Sequence, residues 1–344
     1  MTHALSSPPP EWAPQDTLLI GWPSHFDPWD TPFETAREEV AALANAILSQ
    51  KPTNGLPQTG VTLVLEGEAA ETAARKMVPG ASIINTPCGD TWLRDTAPIF
   101  SRRNGVLETR RFRFNGWGEK YIYPGDADLS ARLVSHFETP DTPLDFVLEG
   151  GSVDWDGEGR LLTTDECLLN ENRNAGWSRA HATEQLQRAF GVKDVVWIAQ
   201  GLLNDHTDGH IDNLARFIAP GHVVCQAPNG ADDPHAERLL ALEDTLRRYE
   251  GALGKLTVST IPSPGQVLDD EGEAMPASHM NFVITNQAVL VPAYNDEAHK
   301  AVEALQSFFP DRKVMASSSR AILTGGGAFH CISQQIPSAE GQSV

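Results

Sequence analysis

The sequence predicts an α/β fold in which one unit recurs around a ring or along a stack. A hairpin, a helix and a strand follow one another in this order about five times, at irregular spacings of very roughly 50–70 residues. The last segment, residues 321–335, could pair with a strand at 17–20 and close a ring. Such repetition favours one architecture over two independent domains, so residues 1–344 are interpreted as a single domain with a loose lead-in at 1–15.

Apolar periodicity predicts the elements of the first unit. A short apolar run at 17–20 indicates a strand. Five residues then fall on one face of a helix, namely Phe33, Ala36, Val40, Leu43 and Ile47. A strand, a helix and a second strand are predicted further on, at 61–65, 68–77 and 81–85.

Four further units repeat the order of hairpin, helix and strand. Turn residues indicate the hairpins, namely Asn104-Gly105, residues 156–159, Pro220-Gly221 and Asn286-Gln287. Each hairpin is followed by a predicted helix and a predicted strand, at 127–137 and 145–148, 183–190 and 194–198, 236–249 and 255–261, and 297–309 and 313–317.

The charge balance narrows the classes of partner. The chain has 26 Lys and Arg against 46 Asp and Glu, a formal net charge of -20. This balance argues against nucleic acid, because phosphate binding needs clustered cations, and it favours a small cationic molecule. Residues 1–10 show no secretory signal, and no apolar run approaches the roughly 20 residues that cross a bilayer, so we expect no membrane partner and a cytoplasmic protein. A homo-oligomer remains open.

Polar and glycine-rich residues recur just before the hairpins. Equivalent positions in a closed ring converge on its axis. Five residues at such positions could therefore share one pocket although they are far apart in sequence, namely Asp95, Glu149, His210, Asp212 and Cys331.

Each candidate also has a structural interpretation. Asp95 alone is more typical of a turn or cap residue paired with Arg94, and Trp92 of a core residue. Glu149 ends an apolar strand, where a carboxylate costs free energy unless it is paired. Cys331 follows three glycines, which suits an exposed nucleophile, but most free cysteines are small buried hydrophobes. The four cysteines are far apart, which disfavours zinc knuckles and disulfide frameworks.

His206, Asp208, His210 and Asp212 alternate along the chain. If this segment is a strand, all four side chains face one way. They could then form a metal site, an acid–base group or a solvated polar face. Because a dinuclear site would need further His or carboxylate clusters, the sequence disfavours a metal.

The candidates suit one chemistry in combination. A cysteine nucleophile such as Cys331 needs its proton removed, and His210 can act as acid and base near neutral pH. Asp95 and Asp212 could clamp the edges of a planar guanidinium, with Trp92 against its flat face. If the segment around Cys331 is extended, His330 faces away from the thiol and is not the base.

The chain resembles agmatine deiminases and the related bacterial peptidylarginine deiminases over about residues 17 to 337. Characteristic motifs carry this resemblance, namely Trp22-Pro23 with Asp27 and Trp29, the run from Asp90 through Trp92, Arg94 and Asp95 to Pro98, Phe114-Asn115-Gly116-Trp117-Gly118, Glu149-Gly150-Gly151-Ser152, residues 161–174, Gly209-His210 with Asp212-Asn213, Asn281-Phe282, Val291-Pro292, and Gly325-Gly326-Gly327 with His330-Cys331-Ile332 and Gln334-Gln335.

The resemblance implies a five-bladed pseudo-fivefold α/β propeller, the pentein fold, and a hydrolase that uses no metal or organic cofactor. It implies that Cys331 is the nucleophile, that His210 is the general acid and base, and that Glu149 supports both His210 and the substrate. Asp95 and Asp212 would bind the guanidinium. The implied reaction converts agmatine and water to N-carbamoylputrescine and ammonia.

The chain departs from the family pattern at His25, Ala97, Asp208 and Ala328-Phe329. Asp208 adds a charge near the site and is counted among the substrate-binding candidates, while Trp92 would line the pocket. Free or peptidyl arginine therefore remains an alternative substrate. Two other classes also remain open, a metal-dependent hydrolase built on residues 206–212 and a non-catalytic binder of polyamines or guanidines.

Overall fold

The computed structural model describes residues 5–25, 33–52 and 55–339. Asp27 and Trp29, which carry part of the family resemblance, lie outside those residues. Within the described ranges, the strands form five sheets of three or four strands and one two-stranded ribbon.

The first half of the chain contains nine strands. The elements are, in order, β1 (Gln15–Gly21), α1 (Phe33–Leu48), β2 (Gly60–Leu65), α2 (Glu68–Met77), β3 (Ser82–Asn85), α3 (Leu93–Thr96), β4 (Ile99–Arg103), β5 (Val106–Arg113), α4 (Gly116–Glu119), α5 (Asp126–Phe137), β6 (Asp141–Val147), β7 (Val153–Trp155), β8 (Arg160–Thr164), α6 (Asp165–Leu168), α7 (Arg179–Phe190) and β9 (Asp194–Ile198). Short 3₁₀ turns at Gly150–Ser152 and Ile211–Asn213 precede β7 and the next strand.

The second half continues the pattern. Its elements are β10 (Ala215–Ala219), β11 (His222–Ala227), α8 (Ala236–Arg248), β12 (Glu250–Gly251), β13 (Gly254–Lys255), β14 (Thr257–Pro262), β15 (Val283–Ile284), β16 (Ala288–Ala293), α9 (Ala298–Gln306), β17 (Lys313–Ser318), α10 (Arg320–Thr324) and β18 (Ser333–Pro337).

All five sheets share a three-stranded topology, to which the first sheet adds β3 parallel to β2. Two strands pair antiparallel, and a helix then leads to a third strand that pairs parallel with the second, as in β4, β5 and β6. The hairpin between β4 and β5 turns at Asn104 and Gly105, whose φ angles of 52° and 79° suit a tight two-residue turn. The repeated unit predicted from the sequence is therefore present five times.

The first sheet joins the two ends of the chain. β18 pairs antiparallel with β1, with Leu18 opposite Gln335, and β1 pairs parallel with β2. This pairing confirms the prediction that the last segment meets the first strand. Side-chain hydrogen bonds link this sheet to both neighbours, because Arg102 Nε donates to the Pro337 carbonyl at 2.7 Å and Gln15 Nε2 donates to the Ile284 carbonyl at 2.9 Å.

The helices cover the sheets with their apolar faces. In α1, the residues Ala36, Val40, Leu43 and Ile47 are fully buried against β2 and its neighbours, as the periodicity predicted. Replacing Leu43 with Ala would leave a cavity and cost about 2–5 kcal/mol of the free energy of unfolding.

Three predicted boundaries were wrong by three or more residues. α9 ends at Gln306 rather than 309. β6 begins at Asp141 rather than 145, because residues 141–143 pair with β5 despite their polar composition. α7 begins at Arg179 rather than 183, because the Ser178 side chain caps the helix by accepting the His181 N–H at 3.2 Å.

The prediction of a loose lead-in is wrong for residues 5–15. The Trp155 indole N–H donates to the Pro9 carbonyl at 3.0 Å, and the Ser338 N–H donates to the Pro14 carbonyl at 2.7 Å. Glu11 is 6% exposed. These partners lie more than 100 residues away, so the Pro- and Ser-rich composition of the segment does not reveal them. Residues 1–4 lie outside the described ranges.

No helix in the described ranges is both long enough and apolar enough to cross a membrane. All four cysteines are free and buried.

Candidate active site

The segments that precede the five hairpins converge. Asp95 lies in α3 before β4, Glu149 precedes β7, His210 and Asp212 precede β10, and Cys331 precedes β18. The Cys331 Sγ lies 3.7 Å from Asp212 Oδ2, and His210 Nδ1 lies 3.8 Å from Asp95 Oδ2. The structure thus brings together five residues that the sequence selected from four distant segments.

Gly151 lies at the centre of this group. A Cβ atom added there would come within 2.6 Å of His210 Nδ1, 3.0 Å of Asp95 Oδ1 and 3.1 Å of Asp212 Oδ2. Only a glycine leaves enough room for the three side chains to approach one another.

Asn281, which precedes β15, fixes the position of Cys331. Its Nδ2 donates to the sulfur at 3.1 Å, and its Oδ1 accepts the Cys331 N–H at 3.2 Å. Burial raises the pKa of the Cys331 thiol well above its ordinary value, and the nearby carboxylates of Asp212 and Asp95 raise it further. The thiol is therefore neutral at neutral pH.

Two donors hold the carboxylate of Asp95. The Trp117 indole N–H donates to Oδ2 and the Gly151 backbone N–H donates to Oδ1, both at 2.9 Å. Burial raises the pKa of Asp95; His210 acts in the opposite direction, while Asp212 adds to the increase.

Asp212 has one occupied oxygen and one free oxygen. Oδ2 lies 2.7 Å from His330 Nδ1, whereas Oδ1 has no hydrogen-bond partner among the described residues. Burial alone would raise the pKa of Asp212, but the hydrogen bond and charge of His330 outweigh burial and lower it. A buried acceptor without a donor costs free energy, so Oδ1 suits a ligand that brings N–H groups.

His210 lies among acidic groups. Burial alone would lower the pKa of His210, but Asp95, Cys167 and Glu149 outweigh burial and raise it well above its ordinary value. Glu149 itself is buried and accepts a hydrogen bond from Arg173 Nε at 2.6 Å. His210 therefore carries its proton in this surrounding and can donate it.

Glu149, Cys167 and His210 could together hold a metal ion, because one ligand atom from each lies within 4.8 Å of the others. The guanidinium of Arg173 already pairs with Glu149 and would repel a dication. The absence of a metal or organic cofactor stays a prediction.

Residues 206–212 do not form the strand considered in the sequence analysis. Asp208 and Gly209 have φ angles of 63° and 87°, and a 3₁₀ turn follows. The four side chains therefore do not share one face. His206 lines the mouth of the cavity, whereas Asp208 Oδ1 lies 2.9 Å from Lys120 Nζ and its Oδ2 accepts from Arg173 Nη1 at 2.8 Å.

The segment around Cys331 is not extended either. Ile332 donates to the Ala328 carbonyl at 3.2 Å, so the chain turns tightly here. The prediction that His330 faces away from the thiol was therefore based on the wrong local structure. His330 and Cys331 both contact Asp212. Ala328 and Phe329 are buried in the core and do not line the cavity.

A cavity of about 150 Å³ opens onto Cys331 and Asp95. Its other lining residues are Asp90, Trp92, Trp117, Tyr121, Tyr123, His206, Thr207, Thr324, Gly325 and Gly326. Trp92 donates its indole N–H to Asp90 Oδ2 at 2.7 Å. A Cβ on Gly327 would lie 2.7 Å from the Trp92 ring and 3.1 Å from the Cys331 sulfur, so the glycine lets these two groups meet.

The sequence interpretation did not select several residues of the site. Trp117 and Asn281 stood in the motifs that carried the family resemblance but had been given no role. Arg173 also lay in such a motif. Tyr121 and Glu11 had no local signal, because only the folded chain brings them to the site.

The fold and the site define a class of α/β proteins with five repeated sheets, in which a cysteine and a carboxylate line a pocket and a histidine and a second carboxylate lie buried beside them. A family of Porphyromonas-type peptidyl-arginine deiminases matches residues 7–337. The chain therefore belongs to this family.

Relatives of known name resemble the chain over nearly its full length. An agmatine deiminase of Stutzerimonas stutzeri is 36% identical and aligns with 98% of this chain and 99% of its own. An agmatine deiminase of Pseudomonas fluorescens is 32% identical over 96% of this chain and 95% of its own. The solved agmatine deiminase of Enterococcus faecalis superposes with a TM-score of 0.89 at 29% identity, covering 97% of this chain and 96% of its own. The fold predicted from the resemblance is confirmed.

Proposed function

We propose that this protein hydrolyses agmatine to N-carbamoylputrescine and ammonia. The observation that carries the proposal is the cavity lined by both Cys331 and Asp95, beside which the Cys331 sulfur lies 3.7 Å from Asp212. The names of the relatives, which are agmatine deiminases, support the choice of substrate.

Asp95 and Asp212 bind the guanidinium in this proposal. Asp95 is oriented by Trp117 and Gly151, and Asp212 keeps one oxygen without a partner in the described chain. A guanidinium offers N–H groups along its edges, so two carboxylates match both its shape and its charge. Trp92 packs against its flat face.

Cys331 is the nucleophile. The bound guanidinium opposes the carboxylates that raise the pKa of the thiol, which favours ionisation once substrate is present. In this proposal the thiol proton passes to solvent through the cavity, because His210 already carries its own proton. The thiolate then attacks the guanidinium carbon, a C–S bond forms as a C–N π bond breaks, and a tetrahedral adduct results.

His210 transfers a proton in each of the two later steps of the proposed reaction. The adduct expels ammonia, which takes a proton from His210, and a covalent thiouronium remains on Cys331. His210 then removes a proton from water, which attacks the same carbon and breaks the C–S bond, releasing the ureido product. Glu149 supports His210, since both belong to one buried group with Arg173.

The cavity lining favours agmatine over free arginine. Asp90 lies in the wall with Tyr121 and Tyr123, and the described lining contains no lysine or arginine. An acidic wall suits the terminal ammonium of agmatine but offers no permanent cation for the carboxylate of arginine.

A product assay separates these substrates. Agmatine, free arginine and an arginine peptide are incubated in parallel, and ammonia and the ureido product are measured. We expect product from agmatine at a rate at least about 100-fold above the other two. Product only from another guanidine would keep the mechanism and refute the substrate, while no product from any would favour a non-catalytic binder.

The metal-dependent alternative predicts a different result. Activity through residues 206–212 would disappear after dialysis against a chelator and return with metal. Activity through Cys331 survives chelation and disappears with Cys331→Ala. The single-domain organisation, the cytoplasmic location and the oligomeric state stay predictions from the sequence.

A further inference from the structure

Glu11 precedes the first strand, yet its carboxylate lies deep in the molecule. Its Oε1 accepts the backbone N–H of Ile284 at 2.7 Å, and its Oε2 lies 3.0 Å from His330 Nε2. Arg216 forms an ion pair with the same Oε2 oxygen. The N-terminal segment, which was predicted to be loose, thus places the buried carboxylate of Glu11 beside His330, the residue before Cys331.

His330 links Glu11 to Asp212. Its Nδ1 lies 2.7 Å from Asp212 Oδ2, opposite the contact of Nε2 with Glu11. Burial would raise the pKa of Glu11, but Arg216 and His330 outweigh burial and lower it, and the pKa of Asp212 is lowered as well. Both carboxylates are therefore ionised and can only accept hydrogen bonds. Each ring nitrogen of His330 thus faces a carboxylate oxygen, and since an ionised carboxylate can only accept, a ring with two N–H groups would satisfy both contacts.

Other charged groups surround the three linked residues Glu11, His330 and Asp212. Arg216 also binds Asp154, with 2.9 Å between Nε and Oδ1, and Arg94 lies 4.0 Å from Glu11. Three further groups interact electrostatically with these residues. Asp95 and His210 face Asp212, and the more distant Arg312 faces Glu11.

We propose that Glu11 and His330 are positioning residues that hold Asp212 for the substrate. In this proposal a His330 ring with two N–H groups donates to Oδ2, so that Oδ1, which has no partner among the described residues, accepts from the guanidinium. This inference rests on the proposed role of Asp212 in binding the guanidinium. It makes the segment before the first strand a part of the binding site.

Two variants break the chain of hydrogen bonds at different points. Glu11→Gln replaces the carboxylate with an amide of the same shape, which can donate to Nε2 and so lets His330 become neutral. His330→Asn keeps a donor toward Asp212 but removes the ring charge. Asp154→Asn is the matched control, because it removes a different buried carboxylate from Arg216 and leaves the contacts of His330 unchanged.

The first measurement reads the protonation of His330 directly. The protein is labelled with ¹⁵N-histidine, and the ring signals absent from His330→Asn identify this residue. We expect two ring N–H groups on His330 in the natural protein and in Asp154→Asn, and one in Glu11→Gln. A neutral ring in the natural protein would overturn the proposal, whatever the substrate.

The second measurement reads the effect on binding. In a Cys331→Ala background, which cannot turn over, agmatine affinity is measured by calorimetry across the pH range. We expect Glu11→Gln and His330→Asn to weaken binding by roughly tenfold and to move the loss of affinity on acidification to higher pH, because each removes a charge-assisted hydrogen bond. Asp154→Asn should keep the pH profile even if it lowers the melting temperature.

The outcomes separate this inference from the proposed function. Unchanged affinity and an unchanged pH profile in both Glu11→Gln and His330→Asn would overturn the positioning role. If the Cys331→Ala parent does not bind agmatine at all, the proposed function is wrong. The NMR result then decides alone whether Glu11 and His330 hold Asp212 as an ionised acceptor.

Discussion

The sulfur of Cys331 lies 3.7 Å from the Oδ2 oxygen of Asp212. A negative charge at this distance disfavours a thiolate, and burial acts in the same direction, so the free protein stores its nucleophile as a neutral thiol. In the proposed mechanism, a bound guanidinium would oppose the charge of the carboxylates and favour the thiolate, so that binding would also activate the thiol.

The first prediction concerns the reactivity of Cys331 without substrate. Because the pKa of its thiol lies well above 9.0, alkylation by iodoacetamide should still accelerate as the pH rises through about 9. Asp212→Asn removes the nearest negative charge and should speed the reaction several-fold at about pH 8. Mass spectrometry of the peptide that carries Cys331 gives the rate. A plateau already at about pH 7 in the natural protein would contradict this account.

Gly151→Ala should damage the site without damaging the fold. The added Cβ would lie 2.6 Å from His210 Nδ1 and 3.0 Å from Asp95 Oδ1, which forces both groups apart. We expect kcat/KM for agmatine to fall by about 100-fold. Gly80→Ala is the control, since its nearest neighbour is a flexible Leu48 methyl at 3.3 Å. Equal activities of the two variants would mean that the spacing around Gly151 does not matter.

The third prediction concerns whether Asp208 contributes to substrate binding. Its carboxylate binds Lys120 and Arg173 and does not line the cavity, although the sequence had counted it among the substrate-binding residues. Asp208→Asn should therefore keep kcat/KM within about tenfold. Lys120→Met removes one of the two cations that pair with Asp208, and its kcat/KM should change equally little. If kcat/KM fell 100-fold or more in Asp208→Asn alone, Asp208 would have to be counted among the substrate-binding residues again.

Part of this site could be read from the sequence. The order of hairpin, helix and strand and the glycines around Cys331 indicated which segments meet, because these features are local. The convergence of Asp95, Glu149, His210 and Asp212 then followed from placing equivalent positions on one axis.

The remainder depends on contacts between distant residues. Glu11 binds His330 across 319 positions, and no pattern near residue 11 marks that contact. Asp208 adopts a left-handed backbone conformation, with φ at 63°, so the alternation of residues 206–212 suggested a strand that the backbone does not form. A periodic pattern in the sequence does not reveal one residue with a left-handed backbone conformation.

Asp126 supplies a prediction about stability and pH. It accepts the backbone N–H groups of Gly89 and Asp90, and burial raises the pKa of its carboxyl from 3.8 to about 6. Ionisation therefore costs the folded state more than the unfolded state, so this group's contribution to the free energy of unfolding is full below about pH 4 and is lost as the pH rises through about 6.

Asp126→Asn removes that cost while keeping an acceptor for Gly89. We expect the variant to be more stable than the natural protein by about 1–3 kcal/mol at pH 8, with the difference vanishing below about pH 4. Thermal unfolding at several pH values measures it. A variant that is equally destabilised at every pH would contradict this account, because the loss would not depend on ionisation of the carboxyl group.

The most direct test of the mechanism is to look for the covalent intermediate. The protein is mixed with saturating agmatine, quenched in acid within the first turnover, and analysed by mass spectrometry. We predict an adduct of agmatine less ammonia on the peptide that carries Cys331, absent from Cys331→Ser, together with loss of turnover in that variant. Ureido product formed by Cys331→Ser at the natural rate would contradict the central claim that Cys331 performs the chemistry.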